Sequence, residues 1–303
     1  MRSPSVPAQW VTQRERGSAT LLRVMSFLSM RLGRRVGRCI LYAITAYYFL
    51  FGPTTRRHSL DYLRRALGRK PGALDRYRHL LYFASAIHDR IYLLNGRYDL
   101  FDIEIEGDEL VRERFHTGSG AILMGAHVGS FEITYSLGKR QPGLHVAMAM
   151  YEDNARKVNA LMAAINPTDR PEIIALGHFD AMLKIQECLE RGAFVGVLGD
   201  RSLRDEPGVV VDFLGSPATF PTGAMRVAAL LRQRVFFMVG LYRGGNRYRV
   251  VFEPLVDFAA TPARQRDVAV RDAIVRYASL LEATCRTDPY NWFNFSDFWH
   301  GTH

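Results

Sequence analysis

Cysteine is scarce in this chain of 303 residues, which has only Cys39, Cys188 and Cys285. The three lie far apart, and none belongs to a CxxC pair or to a Cys/His spacing of the kind that binds zinc. A disulfide framework and a zinc site are therefore not expected. The expected environment is the reducing, cytosolic one, where disulfides are rare.

Long apolar runs are also lacking. Residues 1–18 do not combine the basic start, apolar core and small-residue cleavage site of a secretory signal peptide. The one notable uncharged run covers residues 39–55, and its strongly apolar part ends near Phe51, which is short for a membrane span. An aromatic-rich helix flanked by arginines is typical of a helix that lies in, or dips into, an anionic leaflet, and this is the prediction for the segment. The alternative is a buried core helix with a solvated basic flank. The flanking arginines are Arg31, Arg34, Arg35, Arg38, Arg56 and Arg57.

Acidic residues are scarce in the first third of the chain. Residues 1–100 hold 18 Lys and Arg against 5 Asp and Glu, a net charge of +13, whereas the remaining residues have a net charge of −3. Such asymmetry predicts a polyanionic partner: nucleic acid, anionic lipid or an acidic carrier protein. The chain has none of the RRM, KH or zinc-finger patterns, so nucleic acid is the least favoured of the three.

The distribution of apolar residues changes near residue 101. Residues 1–100 show helical spacing, interrupted at Pro53 and Pro71. Beyond them, short apolar runs alternate with helical stretches, which predicts an α/β domain with a largely parallel or mixed sheet. We therefore expect a basic helical region at 1–100 and an α/β domain at 101–303.

The stretch "GAHVGSFE" follows one of the predicted strands, at the sheet edge where ligands of α/β domains bind. Gly129 permits a tight turn, and Ser130 can cap a helix that has Glu132 in its first turn. Glu132 could then bond the imidazole of His127 and orient it, while the other ring nitrogen faces a substrate hydroxyl. The N-terminus of the helix would offer N–H groups to a developing oxyanion.

Other interpretations of this stretch are open from the residues alone, because a histidine and a glutamate at a turn are individually common. A zinc protease needs HExxH on a helix, a nucleophile elbow needs GxSxG, and a dinucleotide site needs GxGxxG. None of these patterns is present at the required spacing. A turn with no catalytic role remains the plain alternative.

"GAHVGSFE" resembles the HxxxxD/E block of the lysophospholipid acyltransferase superfamily, and more closely that of the bacterial lauroyl/myristoyl acyltransferases of lipid A biosynthesis. Several further stretches look like other blocks of these relatives. The resemblance implies a glycerol-3-phosphate acyltransferase-like fold, with a mixed, largely parallel sheet flanked by helices and a basic N-terminal membrane-associated segment. The stretches are "WVTQRERGS", "SLDYLRRALG", "DRIYLLNG", "LGDRS", "VDFLGSPATFPTGAMRVAALL" and "NWFNFSDFW".

The resemblance also implies roles for single residues. His127 corresponds to the general base and Glu132 to its acidic partner. The aspartate of "LGDRS" corresponds to a residue that lines the site, and "FPTG" to the block that shapes the acceptor or acyl pocket. The substrate-binding residues so implied are Gly129, Ser130, Asp200, Arg201, Phe220, Pro221 and Gly223.

The implied activity is transfer of a fatty acyl group to a hydroxyl of a lipid or glycolipid, at the cytoplasmic face of the bacterial inner membrane. The donor would be an acyl thioester of acyl carrier protein or coenzyme A. Since the thioester brings its own leaving group, no bound cofactor and no metal are expected. A non-catalytic lipid- or carrier-binding protein on the same scaffold is the alternative. The aromatic tail "NWFNFSDFW" is expected either to pack on the core or to join an interfacial aromatic belt.

Overall fold

A computed structural model of the chain describes residues 19–168, 171–177, 180–201 and 207–299. The motif at residues 10–18 lies outside these ranges. The strands are β1 (Asp102–Glu106), β2 (Ala121–Gly125), β3 (Val146–Tyr151), β4 (Glu172–Leu176), β5 (Phe194–Leu198), β6 (Gly208–Phe213), β7 (Ser216–Pro221), β8 (Arg234–Tyr242) and β9 (Arg247–Asp257). The α-helices are α1 (Ala19–Phe51), α2 (Pro53–Leu67), α3 (Ala73–Leu94), α4 (Glu109–His116), α5 (Phe131–Arg140), α6 (Glu152–Ile165), α7 (Ala181–Glu190), α8 (Gly223–Leu230) and α9 (Arg266–Thr287).

Seven strands form one sheet in the order β1-β9-β8-β2-β5-β3-β4, and β6 pairs with β7 in a separate hairpin. Neighbours in the large sheet are parallel except for β8 and β9. The central strands β2, β5 and β8 are almost entirely buried, as expected for the uninterrupted apolar sequences "AILMG", "FVGVL" and "VFFMVGLY". The predicted α/β fold with a mostly parallel, mixed sheet is confirmed.

Helices α2 and α3 share the core of the sheet domain. Tyr62 and Leu63 of α2 are almost fully buried in an apolar cluster that also contains residues of β2, β5 and β8. Leu93 of α3 lies with strand residues in a second cluster. Although residues 53–94 belong by sequence to the basic helical region, they are built into the body that carries the sheet.

Helix α1 is fixed to that body by a buried carboxylate. Asp89 of α3 has no exposed side-chain surface, and it accepts hydrogen bonds from Arg34 at 2.7 and 2.9 Å and from Arg38 at 2.7 Å. The hydroxyl of Tyr248 donates a further bond of 2.9 Å to the same carboxylate. Both guanidinium groups also donate to the carbonyl oxygen of Gly245. Of the flanking arginines, Arg34 and Arg38 therefore point inwards to the buried charge of Asp89.

Other positions of α1 expose large apolar side chains. Phe27 is 59% exposed, Tyr47 60% and Phe51 69%. Arg31 and Arg35 remain exposed on the same helix. Among the residues that the structure describes, no helix is both long and apolar enough to cross a membrane. The predicted placement of α1 at a membrane surface stays a prediction.

Candidate active site

His127 lies where β2 leads into α5, as the sequence predicts. Strand β2 ends at Gly125, and α5 begins at Phe131. Strand β5 runs parallel beside β2, with Leu198 opposite Gly125, and Asp200 follows two residues later. Because parallel neighbours end at the same edge of a sheet, His127 and Asp200 meet there.

The carboxylate of Asp200 binds His127 at two points. The imidazole Nδ1 lies 2.8 Å from Oδ1, and the backbone N–H of His127 donates to Oδ2 at 3.0 Å. Since an ionised carboxylate only accepts hydrogen bonds, Nδ1 carries the hydrogen and Nε2 keeps its lone pair. The His127 side chain is 29% exposed, whereas that of Asp200 is fully buried. Nε2 thus keeps its lone pair on an imidazole that is partly open to solvent.

Glu132 does not orient the imidazole, contrary to the prediction from the spacing. It lies in the first turn of α5 as predicted, but its Oε1 is 2.6 Å from Nε of Arg90. Its Oε2 accepts a hydrogen bond of 3.0 Å from the Ser130 hydroxyl. The physical reason is that the Glu132 carboxylate reaches a cation on α3, while Nδ1 of His127 is already occupied by a carboxylate 73 residues away. The carboxylate that contacts Nδ1 of His127 is therefore that of Asp200.

The charges around Asp200 keep its carboxylate ionised. Burial alone would raise the pKa of Asp200, but the charge and hydrogen bond of His127, the charge of Arg201 and the indole N–H of Trp292 hold it well below its usual range. Burial lowers the pKa of Arg201, and Asp200 opposes that shift. Nη2 of Arg201 lies 3.4 Å from the carbonyl oxygen of Phe293, and its Nε finds no hydrogen-bond partner in the described part of the chain. Arg201 thus brings a positive charge next to the pair, with an Nε–H that has no partner among the described residues.

The turn before α5 depends on glycine. Gly129 has a φ of +63°, and a Cβ atom at this position would lie 2.0 Å from the carbonyl oxygen of Gly240. Its N–H donates to Asn291, and the N–H of Ser130 donates to Gly240, each at 2.7 Å. These two N–H groups are therefore already used and are not available to a substrate. Ser130 occupies the N-cap position as predicted, but its hydroxyl donates to Glu132 and does not cap the helix.

Residues 291–293 complete the site, a contribution that the sequence does not predict. The N–H of Phe293 donates to the carbonyl oxygen of His127 at 2.8 Å. The indole N–H of Trp292 donates to Oδ2 of Asp200 at 2.9 Å. Trp292 is 1% exposed, which confirms core packing for the aromatic tail. The sequence signal that could have indicated this contribution is the pair of asparagines, Asn291 and Asn294, within the aromatic stretch. Both side chains are buried, and buried amides need hydrogen-bond partners.

The "FPTG" block lies behind the site. Phe220 of β7 is fully buried and packs on Tyr277, with ring centroids 5.9 Å apart. The hydroxyl of Tyr277 donates to the carbonyl oxygen of Gly125 at 2.8 Å. Pro221 ends β7, and Gly223 begins α8. Within the described ranges, no hydrogen bond or ring contact joins this block to the imidazole, so its role in shaping an acyl or acceptor pocket stays a prediction.

Across the described part of the chain, no three His, Cys, Asp or Glu side chains are placed to hold a metal ion. Residues 95–300 match the family described as bacterial lipid A biosynthesis acyltransferase. No curated protein gives a significant match to the chain. The matched range covers more than half of the chain and contains both His127 and Asp200. The chain therefore belongs to the bacterial lipid A biosynthesis acyltransferase family and is an acyltransferase that acts on lipid.

Proposed function

We propose that the protein moves a fatty acyl group from an acyl thioester to a hydroxyl of a lipid or glycolipid acceptor. In this proposal His127 is the general base, and Asp200 orients it. The observation that carries the proposal is the 2.8 Å contact between Nδ1 of His127 and Asp200, made by an imidazole whose other side remains accessible. The family match supports the reaction class, and the contact supports the identity of the base.

The reaction then proceeds in two proton transfers. Nε2 of His127 takes the proton of the acceptor hydroxyl while its oxygen attacks the thioester carbon. A C–O bond forms, and the carbonyl electron pair moves to oxygen. When the tetrahedral intermediate collapses, the C–S bond breaks and the imidazolium returns the proton to the leaving sulfur. The carboxylate of Asp200 stabilises the imidazolium between these steps. An ester and a thiol result, and no bound cofactor takes part.

Arg201 is the side chain that we assign to the developing oxyanion. Its guanidinium is largely withdrawn from solvent, follows Asp200 directly and has the unpartnered Nε described above. A charged donor in such surroundings stabilises a developing negative charge more than one in water does. The positive N-terminal end of α5 acts in the same direction. Glu132 and Arg90 then serve to hold the first turn of α5 in place.

The acyl donor in this proposal is acyl carrier protein or acyl coenzyme A. Both are polyanionic, and the excess of arginine in residues 1–100 would attract either of them. The acceptor is a lipid A precursor, another glycolipid, an amino-acid lipid or a lysophospholipid. Each offers a hydroxyl or an equivalent group to Nε2 of His127.

We further propose that α1 docks the protein on the cytoplasmic face of the bacterial inner membrane. The exposed aromatic side chains of Tyr47, Tyr48 and Phe51 cluster at the end of α1, with Arg57 nearby in the chain. Replacing these three aromatics with serine should reduce co-sedimentation with vesicles that contain anionic lipid. Val268→Ser on α9 is the matched control, because Val268 is 62% exposed but far along the chain from α1. Equal binding by both variants would contradict the docking surface.

Mass spectrometry of extracted lipids tests the proposed reaction. Cells that express the wild-type protein should accumulate a lipid heavier by one acyl group, and cells that express His127→Ala should lack it. The mass of that lipid identifies acceptor and acyl chain together. The non-catalytic alternative predicts bound acyl chains without any new lipid. A product that persists in His127→Ala cells at the wild-type level would refute the role of the imidazole.

A further inference from the structure

A relay of buried hydrogen bonds continues behind Asp200 into helices α2 and α3. Trp292 donates its indole N–H to Asp200, and its backbone carbonyl oxygen lies 2.8 Å from Nε2 of His79. The hydroxyl of Ser59 lies 2.8 Å from Nδ1 of the same imidazole. All four residues are at most 1% exposed. The relay therefore connects the active site to residues that precede the family-matched range.

Each bond of this relay has one defined direction. A carbonyl oxygen only accepts, so Nε2 of His79 donates to Trp292. Burial lowers the pKa of His79 to about 4, and its hydrogen bond to Trp292 opposes this only in part. His79 is thus neutral near pH 7, and its Nδ1 accepts from the hydroxyl of Ser59. The backbone carbonyl of Trp292 is therefore held by the Nε2–H of His79, for which the described residues offer no other acceptor.

The indole ring of Trp292 is enclosed by other aromatic rings. Tyr62, Phe213 and Phe298 make edge-on contacts to it, with centroid distances of 5.0, 5.4 and 4.9 Å. Such packing in a buried site leaves the ring one orientation. The direction of its N–H is consequently fixed before any substrate binds.

We propose that Trp292 is a positioning residue of the acyl-transfer site and that His79 holds Trp292 in turn. Oδ2 of Asp200 receives two N–H donors, one from the backbone of His127 and one from the indole. Two donors at fixed points define the plane of the carboxylate, so that Oδ1 stays on Nδ1 of His127. With one donor the carboxylate can rotate, and the imidazole loses its fixed tautomer. This inference rests on the proposed function of His127 and Asp200.

Trp292→Phe tests the proposal, because phenylalanine retains the aromatic packing and removes the N–H. Trp299→Phe is the matched control: Trp299 belongs to the same aromatic cluster, but its indole donates to the carbonyl oxygen of Phe213 at 3.2 Å. We expect kcat of Trp292→Phe to fall by about 10–100-fold, as for the loss of a hydrogen bond to a charged group, with KM nearly unchanged. Trp299→Phe should keep the wild-type kcat. A wild-type kcat in Trp292→Phe, or equal losses in both variants, would overturn the proposal.

Variants of His79 test the second part of the relay. His79→Gln retains an amide N–H that can reach the carbonyl oxygen of Trp292, whereas His79→Leu retains none. The glutamine variant should therefore keep most of kcat, and the leucine variant should lose it as Trp292→Phe does. Equal kcat values in the two variants would remove His79 from the relay.

The tautomer of His127 provides a readout that needs no acyl transfer. In protein with ¹⁵N-labelled histidine, the His127 resonances, identified by their loss in His127→Asn, should show hydrogen on Nδ1 in the wild type. Trp292→Phe should show a mixture of tautomers, and Trp299→Phe should not. An unchanged tautomer in Trp292→Phe would contradict positioning even if catalysis fell. Activity that survives in His127→Ala would instead refute the proposed function, and the tautomer measurement would still decide the role of Trp292.

Discussion

Replacing Asp200 with asparagine should remove most of the acyl-transfer rate without unfolding the protein. Two N–H groups, the backbone of His127 and the indole of Trp292, point at the Oδ2 position. They select the amide orientation that puts oxygen there, so the NH₂ group must face Nδ1 of His127. An NH₂ group only donates, so Nδ1 becomes the acceptor and the hydrogen moves to Nε2. The lone pair that should take the proton of the acceptor hydroxyl is then lost.

The expected magnitude follows from this tautomer change. A wrong tautomer of the same kind lowers kcat by about 10⁴-fold in the serine protease triad. A positioned general base contributes about 10²–10⁴-fold, so we expect a loss within that range for Asp200→Asn. The variant also lacks the negative charge that stabilises the imidazolium.

Initial rates of thiol release from an acyl thioester, measured in the presence of an acceptor lipid, would test this prediction. Since asparagine replaces a buried charge with a neutral group of the same shape, the melting temperature should show that the fold is intact. Asp200→Asn with near-wild-type kcat would refute the assignment of Asp200 as the orienting residue.

Three further predictions concern the surroundings of the pair. Gly129→Ala should lower the melting temperature and the activity far more than Gly68→Ala. Both glycines have a positive φ, but only at Gly129 would a Cβ atom meet a backbone oxygen, at 2.0 Å. Thermal melts of the two variants test this difference. Glu132→Gln and Arg90→Gln should reduce kcat by similar factors. Since the two side chains act as an ion pair, the double variant should have a kcat little lower than that of either single variant. Additive losses in the double variant would show that the two residues act independently. The pKa of His79 is about 4, against 6.5 for a free imidazole, so the unfolded chain binds an extra proton between these values. The contribution of His79 to the free energy of unfolding is therefore fully present above pH 6.5, and this free energy falls by about 3 kcal/mol between pH 6.5 and pH 4. Denaturant titrations of His79→Gln should show a smaller fall over the same pH range.

Local patterns in the sequence predict the parts of the fold that local physics determines. The apolar run that becomes β2, the helix that begins at Phe131 and the glycine turn between them are all read from neighbouring residues. The position of His127 at the sheet edge follows from them. Asp200 is also predicted to line the same cleft, because it follows another buried strand.

The partner of the imidazole could not be predicted in the same way. Glu132 is only five residues from His127, and this spacing favours Glu132 as the partner of the imidazole. The carboxylate that contacts Nδ1 is instead set by the pairing of β2 with β5. That pairing joins residues more than 70 positions apart, and no periodicity encodes it. The arginines of α1 show the same limit. Their charge pattern is visible in the sequence, but the single buried Asp89 that binds Arg34 and Arg38 is not.

The ion cluster at Asp89 limits how α1 can be altered by engineering. Removing α1 would delete both arginines that neutralise Asp89 and would uncover the surface of α3 on which α1 packs. Such a shortened protein would be expected to aggregate for reasons unrelated to lipid. Replacing exposed side chains such as Tyr47 and Phe51 with polar ones leaves Arg34 and Arg38 in place. For crystallisation or assay without detergent, surface substitution on an intact α1 is therefore the route that this architecture permits.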